Sequence, residues 1–115
     1  MNSVSAQTLP DIEIDGFRAR LQELRAEQVR DLESAHETLM TLTATQAFGD
    51  AALQQVVAHA QYMADVTPDI IAEIDAALLR IESGTYGLCE QCGNLILLSR
   101  LLFRPYGRLC TDCIK

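Results

Sequence analysis

The sequence predicts a mainly α-helical protein: an antiparallel helical hairpin of coiled-coil type, followed by a small C-terminal module built on four cysteines. Three observations carry this expectation. Ala, Leu, Ile, Glu, Gln and Arg dominate residues 11–83 of the 115, a helix-forming composition. Apolar residues recur there at steps of three and four, in two runs of similar length on either side of a turn. All four cysteines fall within the last 27 residues, as two Cys-x-x-Cys pairs.

Residues 1–10 are polar and read as a flexible tail. They have neither the basic start nor the apolar stretch of a signal peptide. The hairpin is expected over 11–83. In its first arm Phe17, Leu21, Leu24, Gln28, Leu32, Ala35, Leu39 and Leu42 form one stripe, with Arg18, Arg25, Glu33 and Glu37 on the opposite face. The pattern fades through Thr41, Thr43 and Thr45, and Phe48-Gly49-Asp50 reads as a turn, placing the tip near 47–51. The second stripe is Leu53, Val56 or Val57, Ala60, Ala64, Ile71, Ile74, Leu78 and Ile81, with Tyr62 and Met63 assigned to its packed side. Thr67-Pro68-Asp69 has the form of an N-cap, a first-turn proline and a first-turn acid, so the second arm is expected to kink or break near Pro68. Gly84 suits the left-handed residue that ends a helix. Arms of about 35 residues at about 1.5 Å each reach roughly 50 Å, which suits reach better than enclosure of a substrate.

Charge and composition exclude several functions. Residues 1–83 carry a net charge of −9 and residues 84–115 a net +2, so the helical part is repelled by phosphate backbones and unsuited to non-specific DNA binding. No apolar run approaches the roughly 18 residues of a membrane span. A cytoplasmic location is the default expectation, and there cysteine pairs serve as metal ligands more often than as disulfides. No nucleophile–base set or phosphate loop makes a case for an enzyme. His36 and His59 lie on opposite arms and read as unrelated surface residues, too few for a second metal site.

The module 84–115 holds Cys89, Cys92, Cys110 and Cys113. Seventeen residues separate the pairs, within the roughly 15–20 of four-cysteine zinc sites. A two-residue gap lets both thiolates of one turn face a single ion, and two such turns complete a tetrahedron with no open position, so one structural zinc is expected. Gly93 directly after Cys92 suits the tight turn around sulfur. The other readings of the same residues are redox dithiols and, in an exported protein, two disulfides. Tyr86, between Gly84 and Gly87, is expected to pack the module onto the hairpin base.

The segment Ala76-Ala77-Leu78-Leu79-Arg80-Ile81-Glu82-Ser83-Gly84-Thr85-Tyr86-Gly87-Leu88-Cys89-Glu90-Gln91-Cys92-Gly93-Asn94-Leu95-Ile96, with Arg100-Leu101, Arg104-Pro105, Cys110 and Cys113 after it, resembles the zinc-finger signature of the DksA/TraR family of bacterial transcription factors. The resemblance implies a regulator that binds RNA polymerase, inserts its coiled coil into the secondary channel and alters initiation without sequence-specific DNA reading. It implies polymerase contacts at the tip, for which Phe48 and Asp50 are the candidates here. The family's second tip acid falls at Leu53, and its following Ala at Gln55. Asp50 reads equally as the N-cap of the second arm, and Phe48 either folds back on the hairpin or stays exposed. The resemblance also implies a ppGpp contact at Arg104. The accompanying basic positions hold Ile114 and Glu73, and Arg100, Arg104 and Arg108 read alternatively as solvating residues or partners of hairpin acids. Further readings are a zinc-stabilised adaptor for another protein, a divergent family member lacking the usual tip activity, and a thiol redox switch.

Overall fold

The computed structural model describes residues 11–42 and 48–113. The tail 1–10, Thr43, Thr45 and Ile114 lie outside the described residues. Helix α1 spans Asp11–Thr41, α2 spans Ala51–Ser83 and the short α3 spans Leu98–Phe103. There is no β-strand among the described residues, only a single antiparallel bridge between Leu88 and Leu95.

The two long helices bury the stripes that their periodicity marks. On α1, Phe17, Leu21 and Ala35 are buried, while Leu24, Gln28, Leu32 and Leu39 are half-buried, as is Leu42 just beyond its end. Arg18 pairs with Asp15 one turn earlier on the surface. On α2, Ala60, Ile74 and Ile81 are buried and Leu53, Val57, Ala64, Ile71 and Leu78 half-buried; Val57 faces in and Val56 out. Tyr62 departs from expectation, with 61% of its surface exposed. It lies two residues from both Ala60 and Ala64, about 200° around a helix from each, and so points away from the face they bury.

Pro68 does not break the second arm. Helix α2 runs unbroken from Ala51 to Ser83 with Pro68 inside it. The proline is exposed, and the Ala64 carbonyl one turn back receives no N–H from it. Burial of Thr67 and Ile74 on either side accompanies this continuity. Thr67 is therefore no N-cap. It is fully buried, and its hydroxyl has no hydrogen-bond partner; the buried Oε1 of Gln28 has none either.

Helix ends follow capping chemistry. Asp50 caps α2, its Oδ1 accepting from the Leu53 N–H at 3.1 Å. At the other end Gly84 adopts φ 80°. Its N–H donates to the Ile81 carbonyl at 3.3 Å, and the Thr85 N–H reaches back to the Arg80 carbonyl at 2.9 Å. These two bonds are the Schellman closure, and the left-handed residue it requires costs glycine nothing.

The contacts define two compact units. One takes in Arg25–Ala72, the other the described parts of Met1–Leu24 and Glu73–Lys115. In the first unit α1 and α2 run side by side in opposite directions and line a common groove with Ala35, Thr38, Ala52, Val56 and Ala60. Ala35 and Ala60 are its buried alanines, so small side chains separate the two backbones. The second unit has the larger core, built from Phe17, Leu21, Ile74, Ala77, Ile81, Tyr86, Ile96 and Leu101.

Candidate metal centre

The chain leaves α2 at Gly84 and is at once fixed by Tyr86, which is 3% exposed. Its ring centre lies 5.4 Å from that of Phe17, and its hydroxyl donates to the Pro105 carbonyl at 2.7 Å. Burial pushes the hydroxyl's pKa well up, against the opposing pull of the Arg80 charge, so the phenol stays a donor. Tyr86 thus packs the module against Phe17 at the base of the hairpin, as expected, and also ties the start of the module to Pro105.

Two tight turns follow the sequence's two cysteine pairs. In the first, the Cys89 N–H donates to the Asn94 carbonyl at 2.8 Å and the Gly93 N–H to the Cys89 carbonyl at 2.9 Å. Gly93 has φ 79°, a conformation that side chains resist. The Ile96 N–H donates to the Gly87 carbonyl at 2.8 Å and closes the base of this turn. The second turn is closed by the Cys113 N–H to the Cys110 carbonyl at 3.1 Å. Between them lies α3, which sends Leu101 into the core with 1% exposed, while Arg100 Nε donates to the Leu109 carbonyl at 3.3 Å. The Glu90 N–H donates to the Arg108 carbonyl at 2.9 Å and joins the two turns directly.

This arrangement brings all four sulfurs within 4.8 Å of one another. The Cys92 and Cys110 sulfurs are 3.6 Å apart. A tetrahedron with zinc–sulfur bonds of about 2.3 Å has sulfur–sulfur edges of about 3.8 Å, so the donor set fits a tetrahedral thiolate site. Cys89 and Cys110 are buried, Cys113 half-buried and Cys92 exposed. Burial works to raise the Cys89 pKa. Backbone N–H groups of Cys110, Cys92 and Gln91 outweigh it and hold the thiol down to about 6. Cys113 is pushed well up, chiefly by its shared hydrogen bonds with Cys110 and Cys89. So many thiolates at this spacing repel one another, and a dication is the group that relieves the repulsion.

Arg80 is a part of the site that periodicity did not disclose. It sits in the last turn of α2 with its side chain 11% exposed, 3.2 Å from a Glu90 carboxylate oxygen. Its second nitrogen donates to the Gly107 carbonyl at 3.5 Å. Arg108 approaches the other Glu90 oxygen at 3.5 Å. One helix-borne guanidinium thereby touches both halves of the module, at a helix end where positive charge is favoured.

The remaining candidates are not members of the sulfur cluster. Phe48 and Asp50 belong to the other unit; Phe48 is 85% exposed, so it does not fold back. Arg104 is exposed, its guanidinium 5.6 Å from the centre of the Tyr106 ring. His36 and His59 are exposed, and among the described residues the four cysteines form the metal-holding cluster. No helix of the described residues is long and apolar enough to cross a membrane. Periodicity also gave no sign that α3 leaves Leu98, Leu102 and Phe103 exposed; the six-residue helix shows too little of a period to separate its faces.

Comparison with known proteins converges on this module. Residues 84–113 match the family model of the prokaryotic dksA/traR C4-type zinc finger. An uncharacterized protein of Aquifex aeolicus is 49% identical over 45 residues, 39% of this chain and 31% of that protein. The RNA polymerase-binding transcription factor DksA of Caulobacter vibrioides is 44% identical over 43 residues, 37% of this chain and 30% of that protein. The chain thus spans about a third of the length of these curated relatives. Among solved structures, transcription factor DksA2 from Pseudomonas aeruginosa superposes with a TM-score of 0.71 at 29% identity, over 94% of this chain and 80% of that one.

Proposed function

We propose that this chain, whose residues 84–113 form a zinc finger of the DksA/TraR C4 type, is a bacterial transcription regulator that acts by binding RNA polymerase and does not read DNA sequence. The observation that carries the reading is that this finger and two long helices occur together in a chain that superposes over 94% of its length on transcription factor DksA2. In this reading Cys89, Cys92, Cys110 and Cys113 hold one structural zinc. With four thiolates bound the ion has no open position, which leaves it no catalytic task. The hairpin, residues 11–83, enters the secondary channel of the polymerase, and its turn, where Phe48 is exposed, is the end that acts there.

Charge supports a protein partner over DNA. Residues 1–83 carry −9, which favours a cationic protein surface and opposes phosphate. A ppGpp contact through Arg104 would draw on cations of the polymerase as well, since a polyphosphate is held by several converging charges. The place of a second tip acid is taken by Leu53, which is half-buried and serves the helix pair. That observation favours a family member whose tip works differently from the acidic one.

The test is direct binding of the zinc-loaded chain to bacterial RNA polymerase, followed by transcription in vitro. Saturable one-to-one binding that changes initiation is the expected result. Absence of binding at micromolar concentration, with zinc content and helicity intact, would remove the polymerase reading and leave an adaptor for another protein.

A further inference from the structure

The turn of the hairpin divides its tasks between two residues. Asp50 is engaged in building α2. Its Oδ1 accepts the Leu53 N–H at 3.1 Å, and its main-chain carbonyl accepts the Gln54 N–H at 2.9 Å. Phe48 has no such role among the described residues. It leaves 85% of its surface exposed, beside Gly49, which has φ 81° and nothing within 4 Å of where a Cβ would stand. A large ring held at a tight turn with open space beside it is placed to enter something else.

The surrounding charge says what that is. From Asp31 to Leu79 the sequence contains eight Asp or Glu and no Lys or Arg. Nucleic acid would meet this stretch with like charge, so base stacking on Phe48 is disfavoured. A protein pocket with an apolar floor and basic side chains around its mouth matches both the ring and the acids behind it.

We infer that Phe48 is the residue through which the turn engages RNA polymerase, its ring entering an apolar protein pocket with a cationic rim, while Asp50 serves to start α2. This rests on the polymerase reading above. It makes Phe48 the contact and Asp50 its positioning residue. The aromatic contribution is insensitive to salt, whereas the pull of the acids weakens as salt rises.

Four full-length zinc-loaded proteins test it: wild type, Phe48→Ala, Phe48→Leu and Asp50→Ser. Serine keeps an N-cap and removes the carboxylate. Polymerase affinity is measured at two salt concentrations, with zinc content and circular dichroism establishing that each variant is folded. Phe48→Ala is expected to bind at least about tenfold more weakly at both salts, with Phe48→Leu intermediate and Asp50→Ser within about threefold of wild type. If wild type binds and Phe48→Ala binds equally well, the inference is overturned while the polymerase reading stands. If Asp50→Ser loses binding as Phe48→Ala was expected to, the carboxylate is the contact and the inference is likewise overturned. If wild type does not bind, both fall together.

Discussion

Replacing Thr67 by valine should make this protein more stable. The hydroxyl of Thr67 is fully buried and has no hydrogen-bond partner. Folding therefore strips water from a polar group and returns nothing, a cost of about 1–3 kcal/mol. Valine has nearly the same shape, the same branching at Cβ and a similar helix propensity, so rotamer and backbone contributions largely cancel. The expected gain is about 1–2 kcal/mol, or about 5–10 °C in Tm for a chain of this size. Guanidinium unfolding followed by circular dichroism provides the assay, and the midpoint should rise with the slope unchanged. Should the two compact units unfold in separate steps, the shift belongs to the step of Arg25–Ala72, which contains Thr67. A loss of more than about 0.5 kcal/mol would refute the reasoning, because it would mean that the hydroxyl is bonded, through buried water for example.

Two further predictions concern the finger. Arg80→Met keeps the apolar stem but removes the contacts to Glu90 and Gly107; it should lower stability by about 1–2 kcal/mol and quicken zinc transfer to a chelator, read as the rate of metal release. Acidification should release zinc. The Cys89 pKa is depressed to about 6 from an ordinary 9.0, so its thiolate contribution is complete above about 9 and is lost as pH falls through about 6. A bound cation holds the thiolates down further, so the release midpoint belongs below about 6; a midpoint above pH 7 in a metal-release titration would contradict this.

Much of this was legible from the residues because it depends on local spacing. The stripes of α1 and α2 bury the positions their three- and four-residue steps indicated, and Gly84 and Gly93 take the left-handed φ that their places after a helix and after Cys92 required. The two Cys-x-x-Cys pairs announced a cluster that the fold then assembled. What escaped was decided at a distance. Arg80 reads as one more charged residue on a helix until Glu90 and Gly107, 10 and 27 residues later, come to lie beside it. Thr67-Pro68-Asp69 carries a strong local signal for a helix start, and packing on both sides overrides it. Tyr62, expected on the packed side, is turned outward by its angle between Ala60 and Ala64. The exposed apolar side chains of α3 were hidden by a helix too short to display a period.

The division into two compact units bears on how such a protein can diversify. The side chains that tie distant parts of the chain together, Tyr86, Arg80, Glu90 and the four cysteines, all lie in one unit. The other holds itself together with alanines, aliphatic residues and a capping Asp50, a grammar that many sequences satisfy. Substitutions at exposed positions of Arg25–Ala72 therefore leave those ties untouched. A lineage built this way can change the residues of its turn while keeping its finger.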